Sequence, residues 1–171
     1  MSVTVAEVEH LLDSLKLAYR IEHHAPITSI QEAMESGLLS DLGMTAGSMV
    51  KNLLLTDTTG ECYLLVAPGM GRVDLKGMAR HLGCTRLSFA SLKTFGAVFG
   101  TSKGQVTMFD LLDDDERVNR VHLVVDSRVA LIPGDTAFHI DSNTVSVLVR
   151  AQDVPVIART IQPTYLTYPE A

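Results

Sequence analysis

Two places in this chain set polar side chains against apolar surroundings. Lys51 and Asn52 interrupt the apolar run Val50-Lys51-Asn52-Leu53-Leu54-Leu55. Desolvation disfavours a charged ammonium, so a lysine there requires an anionic partner or open water. It reads either as a solvated residue at a strand start or as a cation aimed at a bound phosphate or carboxylate. His139 lies between Phe138 and the polar turn Asp141-Ser142-Asn143, where the edge of a binding cleft would fall. Other chemistries find little support. Histidines 10, 23, 24, 81, 122 and 139 form no H-x-x-x-H or H-E-x-x-H pair, and Cys62 and Cys84 form no C-x-x-C pair. The acids from Asp113 to Glu116 are adjacent and read as a solvated turn, since they lack the spacing of a metal loop. No G-x-S-x-G elbow marks a nucleophile, and Gly69-Met70-Gly71 is followed by no phosphate-loop or dinucleotide spacing. No metal or cofactor is expected.

The elements that must carry these residues follow from period and punctuation. Two apolar runs, Val50 to Asp57 and Glu61 to Val66, flank Thr58-Thr59-Gly60 and predict a β-hairpin. The consecutive Leu53, Leu54 and Leu55 predict a strand buried on both faces. Thr4-Val5-Ala6-Glu7 and Ser29-Ile30-Gln31-Glu32 read as capping boxes opening helices, the second ending near Gly37. Tyr19 to His23 alternates as a half-buried strand that Pro26 ends. Leu38 to Met49 reads as a loop. Asp74 caps a helix stopped by Gly83, and Ser91 caps one closed by Gly100, with Leu92, Phe95 and Val98 or Phe99 inward. Lys103 to Phe109 reads as a loop entering a strand. Val121 to Asp126 and Val145 to Val149 read as strands, Ala151 to Ile161 as the last helix, and Pro163 to Pro169 as a loose tail. Irregular alternation with hairpins predicts an α+β fold with a mixed, mostly antiparallel, curved sheet flanked by helices.

The chain has 171 residues, 46% hydrophobic and 20% charged, which predicts a single globular domain over 1–171. No apolar window reaches the length of a membrane span, and no signal peptide is visible, so a cytoplasmic protein is expected. The net charge of -6 opposes nucleic-acid binding through the overall field, so a nucleic-acid partner would need a local basic face. Lys51, Lys76, Arg80, Arg86, Lys93 and Lys103 could form one or lie scattered.

Lys51-Asn52-Leu53-Leu54-Leu55, Asp74-Leu75-Lys76, Arg86-Leu87-Ser88-Phe89-Ala90-Ser91, Gly104-Gln105-Val106-Thr107 and Phe138-His139 with Asn143 occur in an order that resembles the YbaK/ProX superfamily. These are the editing domains associated with prolyl-tRNA synthetase. The resemblance runs from about Tyr19 to Val149 and leans to the alanine-specific branch, ProXp-ala or PrdX. It implies a deacylase that cleaves mischarged Ala-tRNA(Pro), without metal or cofactor, assisted by the terminal 2′-hydroxyl of the tRNA. Its implied partners are the acceptor end of aminoacylated tRNA(Pro) and the synthetase itself, with no membrane and no DNA. By the same resemblance Lys51 holds the phosphate region of the terminal adenosine. Gly104 leads a loop whose backbone positions the carbonyl and a water, and His139 lines the pocket. His24, Pro26, Thr28, Asn52, Val106, Thr107, Met108, Phe109 and Asn143 complete the implied substrate contacts. One position departs: the family loop is G-x-x-x-P, and Met108 stands at the proline, restoring a backbone N–H and freeing φ. Two other readings stay open, a deacylase for serine, cysteine or 2-aminobutyrate, and a non-catalytic module binding tRNA or synthetase.

Overall fold

The computed structural model describes residues 3–100 and 106–169. Helix α1 (Val5–Ser14) opens on the expected box: Thr4 Oγ1 accepts from the Glu7 amide, and the Glu7 carboxylate accepts from the Thr4 amide. Val8 and Leu12, one turn apart, are its fully buried positions. Strand β1 (Tyr19–His23) follows, then α2 (Ile30–Glu35) and α3 (Leu38–Asp41). The hairpin is β2 (Val50–Asp57) and β3 (Cys62–Pro68), antiparallel with Leu54 opposite Leu64. Next come α4 (Leu75–Leu82), β4 (Leu87–Phe89), α5 (Leu92–Phe99), α6 (Glu116–Asn119), β5 (His122–Val125), β6 (Asp135–Ile140), β7 (Ser142–Arg150), α7 (Val154–Ile161) and β8 (Leu166–Thr167). Asp74 and Ser91 cap α4 and α5 through their side chains, and both helices close on left-handed glycines, Gly83 (φ 74°) and Gly100 (φ 65°).

The strands form two sheets. One is three-stranded and antiparallel, ordered β1-β7-β6, with Tyr19 opposite Val149 and His139 opposite Ser146. The other is five-stranded and mixed, ordered β4-β2-β3-β5-β8, with β3–β5 and β5–β8 parallel. The α+β expectation holds, and the double-sided burial of the hairpin has a concrete form. Val50, Leu54, Leu64 and Val66 face the main core, which holds Phe109, Phe138, Val147 and Ile157. Leu55, Leu65 and Ala67 face a second cluster under α4 with Met78 and Ala79. A third, smaller cluster joins Ile27, Ala33, Leu39 and Met44 to Ala137 and Leu148 of the three-stranded sheet.

Four expectations are corrected. Residues 38–49 are not a loop: α3 and a 3-10 turn at Ala46–Ser48 occupy them, and the left-handed Gly37 (φ 81°) reverses the chain so that Leu39 and Met44 reach the third cluster. Each turn is too short to show a period. Phe109 does not enter a strand. A 3-10 helix, Met108–Leu112, starts there because the Thr107 hydroxyl accepts from the Phe109 amide while the Asp110 carboxylate accepts from the Thr107 amide. Leu92 is exposed, since it sits in the first turn of α5 beyond the Phe95–Phe99 contact that buries the helix. The tail is tied down: β8 pairs with β5, and the Tyr168 amide donates to the Val125 carbonyl (3.1 Å).

Candidate active site

The third cluster does not close. Between it and β2 lies a cavity of about 310 Å³. Its floor is the outer face of the three-stranded sheet. Along β7, Val145, Val147 and Val149 point into the main core, so the alternate residues Ser146 and Leu148 face the other way. Ala137 and His139 do the same on β6, and all but Leu148 line the cavity. Ile27, Ile30, Ala33, Leu39 and Met44 supply an apolar wall from α2, α3 and the segments flanking them. Val50 to Leu53 supply the opposite wall from β2, and Val106 and Thr107 close one end. Gly69 allows this wall to form. A Cβ there would sit 2.5 Å from Ile30 Cδ1 and 3.0 Å from the Met49 carbonyl oxygen.

The polar groups converge at the sheet. His24 Nε2 lies 2.8 Å from Ser146 Oγ, which lies 3.3 Å from His139 Nδ1. Burial holds the His139 imidazole below its ordinary range, helped by the neighbouring His24 and opposed by a backbone hydrogen bond at Val145. Burial therefore biases the His139 ring toward its neutral form. The Thr107 hydroxyl donates to the His139 carbonyl (3.1 Å), fixing the 106–107 segment to β6. Lys51 is half-buried on the wall, and its ammonium donates to the Gly71 carbonyl (2.8 Å). That is a neutral partner, so the charge remains uncompensated by this contact. Asn52 Oδ1 is buried with no hydrogen-bond partner among the described residues, an acceptor on a cavity wall that a donor could satisfy. No group of three metal-ligating side chains occurs among the described residues.

Of the residues implied by the resemblance, Lys51, His139, His24, Thr28, Asn52, Val106 and Thr107 line this one cavity. Thr28 stands at its mouth, where both its amide and hydroxyl donate to Glu32. The second capping box is thus half-formed: Ser29 accepts from Glu32 N, and the carboxylate turns to Thr28 instead. Four residues lie elsewhere. Pro26 is exposed beside the cavity. Asn143 acts through its carbonyl, which accepts from the Ile27 amide (3.2 Å) and holds the segment after β1. Met108 and Phe109 are buried in the main core, Phe109 edge-on to Phe138 at 5.5 Å, because the 3-10 helix turns both side chains inward. Gly104, with Lys103 and Gln105, lies outside the described residues. Ser146 was missed. Its signal was available: a lone hydroxyl in an apolar strand, opposite His139 once the hairpin is registered.

The aminoacyl-tRNA editing domain model matches residues 24–155, a span that contains every wall of this cavity. The chain belongs to that family. It is also 33% identical over 153 residues to the prolyl-tRNA editing protein ProX of Acetoanaerobium sticklandii, covering 86% of each chain. Among solved structures it resembles the hypothetical protein APE2540 (TM-score 0.70, 19% identity, 94% of this chain and 96% of that one). A protein described as a candidate trans-editing enzyme for prolyl tRNA synthetase has TM-score 0.66 at 17% identity, covering 92% and 93%. At those identities the two structures establish the editing-domain fold. The family's chemistry is deacylation, hydrolysis of the ester joining an amino acid to tRNA, and the protein is an aminoacyl-tRNA deacylase. No helix among the described residues is long and apolar enough to cross a membrane.

Proposed function

We propose that this editing domain hydrolyses Ala-tRNA(Pro) in trans, releasing alanine and tRNA(Pro). The observation that carries the reading is the small apolar cavity with a cation on one wall and, on its floor, a histidine biased toward its neutral form. Its volume is at the low end for small-molecule sites, which run from about 300 Å³ upward. A nucleoside ester with a short side chain suits it. In this reading the terminal adenosine enters past Thr28, Lys51 exchanges its bond to Gly71 for the phosphate region, and the alanyl methyl faces Ala33, Leu39 and Met44. Asn52 Oδ1 accepts from the α-ammonium. The backbone at Val106 faces the carbonyl, and amides aimed at a developing oxyanion are the usual main rate term in such chemistry. A water, assisted by the tRNA 2′-hydroxyl, attacks the carbonyl carbon; the bond to the ribose oxygen breaks and that oxygen takes up the proton the water gives off.

The apolar wall favours alanine over serine, whose hydroxyl would find no partner among Ile27, Ala33, Leu39 and Met44. Size excludes proline, so the correctly charged tRNA survives. Discrimination against a smaller acid rests on one methyl, worth about 1–3 kcal/mol. The relative's name, prolyl-tRNA editing protein, supports tRNA(Pro) as the carrier. Single-turnover deacylation of Ala-, Ser-, Cys-, 2-aminobutyryl- and Pro-tRNA(Pro) tests the proposal. Fastest cleavage of the alanyl ester supports it. Faster cleavage of another ester reassigns the amino acid, and no cleavage of any points to a non-catalytic binding module.

A further inference from the structure

Ser146 occupies an unusual position for a hydroxyl. It is 4% exposed, in the middle of β7, and lies between two imidazoles. The direction of each hydrogen bond follows from one fixed end. His24 Nδ1 lies 2.9 Å from the Ala25 carbonyl oxygen, and a carbonyl only accepts, so Nδ1 carries the proton. In the neutral ring Nε2 is then an acceptor. The 2.8 Å contact from Ser146 Oγ to that nitrogen is therefore donated by the hydroxyl. A serine has one proton to give. Towards His139 it can only accept, so the longer 3.3 Å contact places a proton on His139 Nδ1. Ala25, His24, Ser146 and His139 form a chain in which every donor points the same way.

We propose that Ser146 is a positioning residue that holds His139 in its Nδ1–H tautomer, leaving the Nε2 lone pair as a proton acceptor at the floor of the cavity. This rests on the reading above, in which the aminoacyl ester and its 2′-hydroxyl enter that cavity. A free imidazole in water favours the opposite tautomer, and the chain of bonds through Ser146 opposes that preference. An unprotonated Nε2 can accept from the 2′-hydroxyl or from the attacking water and orient it. With the proton on Nε2 the same ring would present a donor, and the bond would point the wrong way. The depression of the His139 pKa favours the neutral ring, the state in which tautomer matters. Ser146 itself touches no reacting atom. Its effect on rate passes through the ring it orients, as a misdirected catalytic group can cost about a hundredfold.

The test uses the full chain labelled with ¹⁵N at histidine. Long-range ¹H–¹⁵N spectra at neutral pH assign the tautomer of His139 directly, independent of any activity. Ser146→Thr keeps the hydroxyl, and Ser146→Val replaces it at nearly the same volume. The expected result is an Nδ1–H ring in the wild type and in S146T, and an Nε2–H ring in S146V. Deacylation of Ala-tRNA(Pro) should show S146T within about threefold of wild type, with S146V losing about tenfold to a hundredfold in kcat at a similar KM. An Nε2–H ring in the wild type overturns the inference, and that spectrum needs no variant to fold. Equal kcat for S146V and S146T overturns it as well. A wild type with the Nδ1–H ring that hydrolyses no ester removes the proposed function and leaves the proton assignment standing.

Discussion

Met108→Pro restores the residue that the resembling family places in its loop, and the local backbone is suited to it. Met108 is the first residue of the 3-10 helix whose N-cap is Thr107. The first position of a helix has no intrahelical use for its N–H and accepts the fixed φ of proline. Thr107 is extended, φ -133° and ψ 175°, the region to which a following proline confines its predecessor. The side chain is the cost. Met108 is fully buried in the main core, where truncation to alanine costs about 2–5 kcal/mol. Proline retains Cβ and Cγ, closes its Cδ onto the backbone and loses the packing of Sδ and Cε, about 1.5–2 kcal/mol at ~0.8 per methylene-sized group. Restricting the unfolded chain returns about 0.4–1 kcal/mol. The expected net loss is about 1 kcal/mol, a Tm lower by about 2–4 °C at this chain length, with deacylation equal to or faster than wild type. Met108→Ala, which removes the packing without the backbone gain, should be the less stable of the two. Calorimetry of both variants with single-turnover assays decides it. If Met108→Pro is less stable than Met108→Ala, or folds normally and loses deacylation, the helix-start geometry does not govern this position.

Lys51→Ala should cut deacylation at least tenfold with an unchanged circular dichroism spectrum and melting curve, because the bond to the Gly71 carbonyl is a half-exposed one that water can replace. Burial lifts the Asp110 carboxyl from 3.8 to about 6, so the folded state binds this proton more tightly than the unfolded one. The associated stability is complete below pH ~4 and is lost as pH rises through about 6, on the order of 2 kcal/mol after allowance for partial solvent contact. Asp110→Asn should flatten that slope, read by urea unfolding at pH 4.5 and 7.5. Binding of tRNA should weaken steeply as salt rises, since Lys76, Arg80, Arg86 and Lys93 are exposed and phosphate contacts release counterions; a flat salt profile in filter binding would exclude that mode.

Most elements were legible because their signals are local. Thr4, Asp74 and Ser91 announce helices through side chains that reach only three residues ahead, and Gly83 and Gly100 end two of them. The hairpin around Thr58 was legible for the same reason. What escaped was either non-local or too short to repeat. The pairing of Leu166 with Val124 is a parallel match that nothing beside either residue encodes. The Thr107–Asp110 box was hidden because Val106, Met108 and Phe109 also look like strand. At the site, Lys51, Asn52 and His139 stood out as polar residues in apolar runs. Ser146 did not, because its meaning depends on lying opposite His139, which is a property of register.

The order of strands in the smaller sheet bears on how the protein is made. β1 lies near the start of the chain and has β7 as its partner, Tyr19 against Val149. His24 therefore cannot meet Ser146 until the chain through β7 has left the ribosome. The two tight hairpins can zip early, but the edge formed by β1 must wait, and closing so long a loop is slow. Catalytic competence consequently waits for the pairing of β1 with β7. A nascent or truncated molecule would carry Lys51 on a formed hairpin and still have no cavity beside it, so recovery of deacylation during refolding should lag the return of sheet signal.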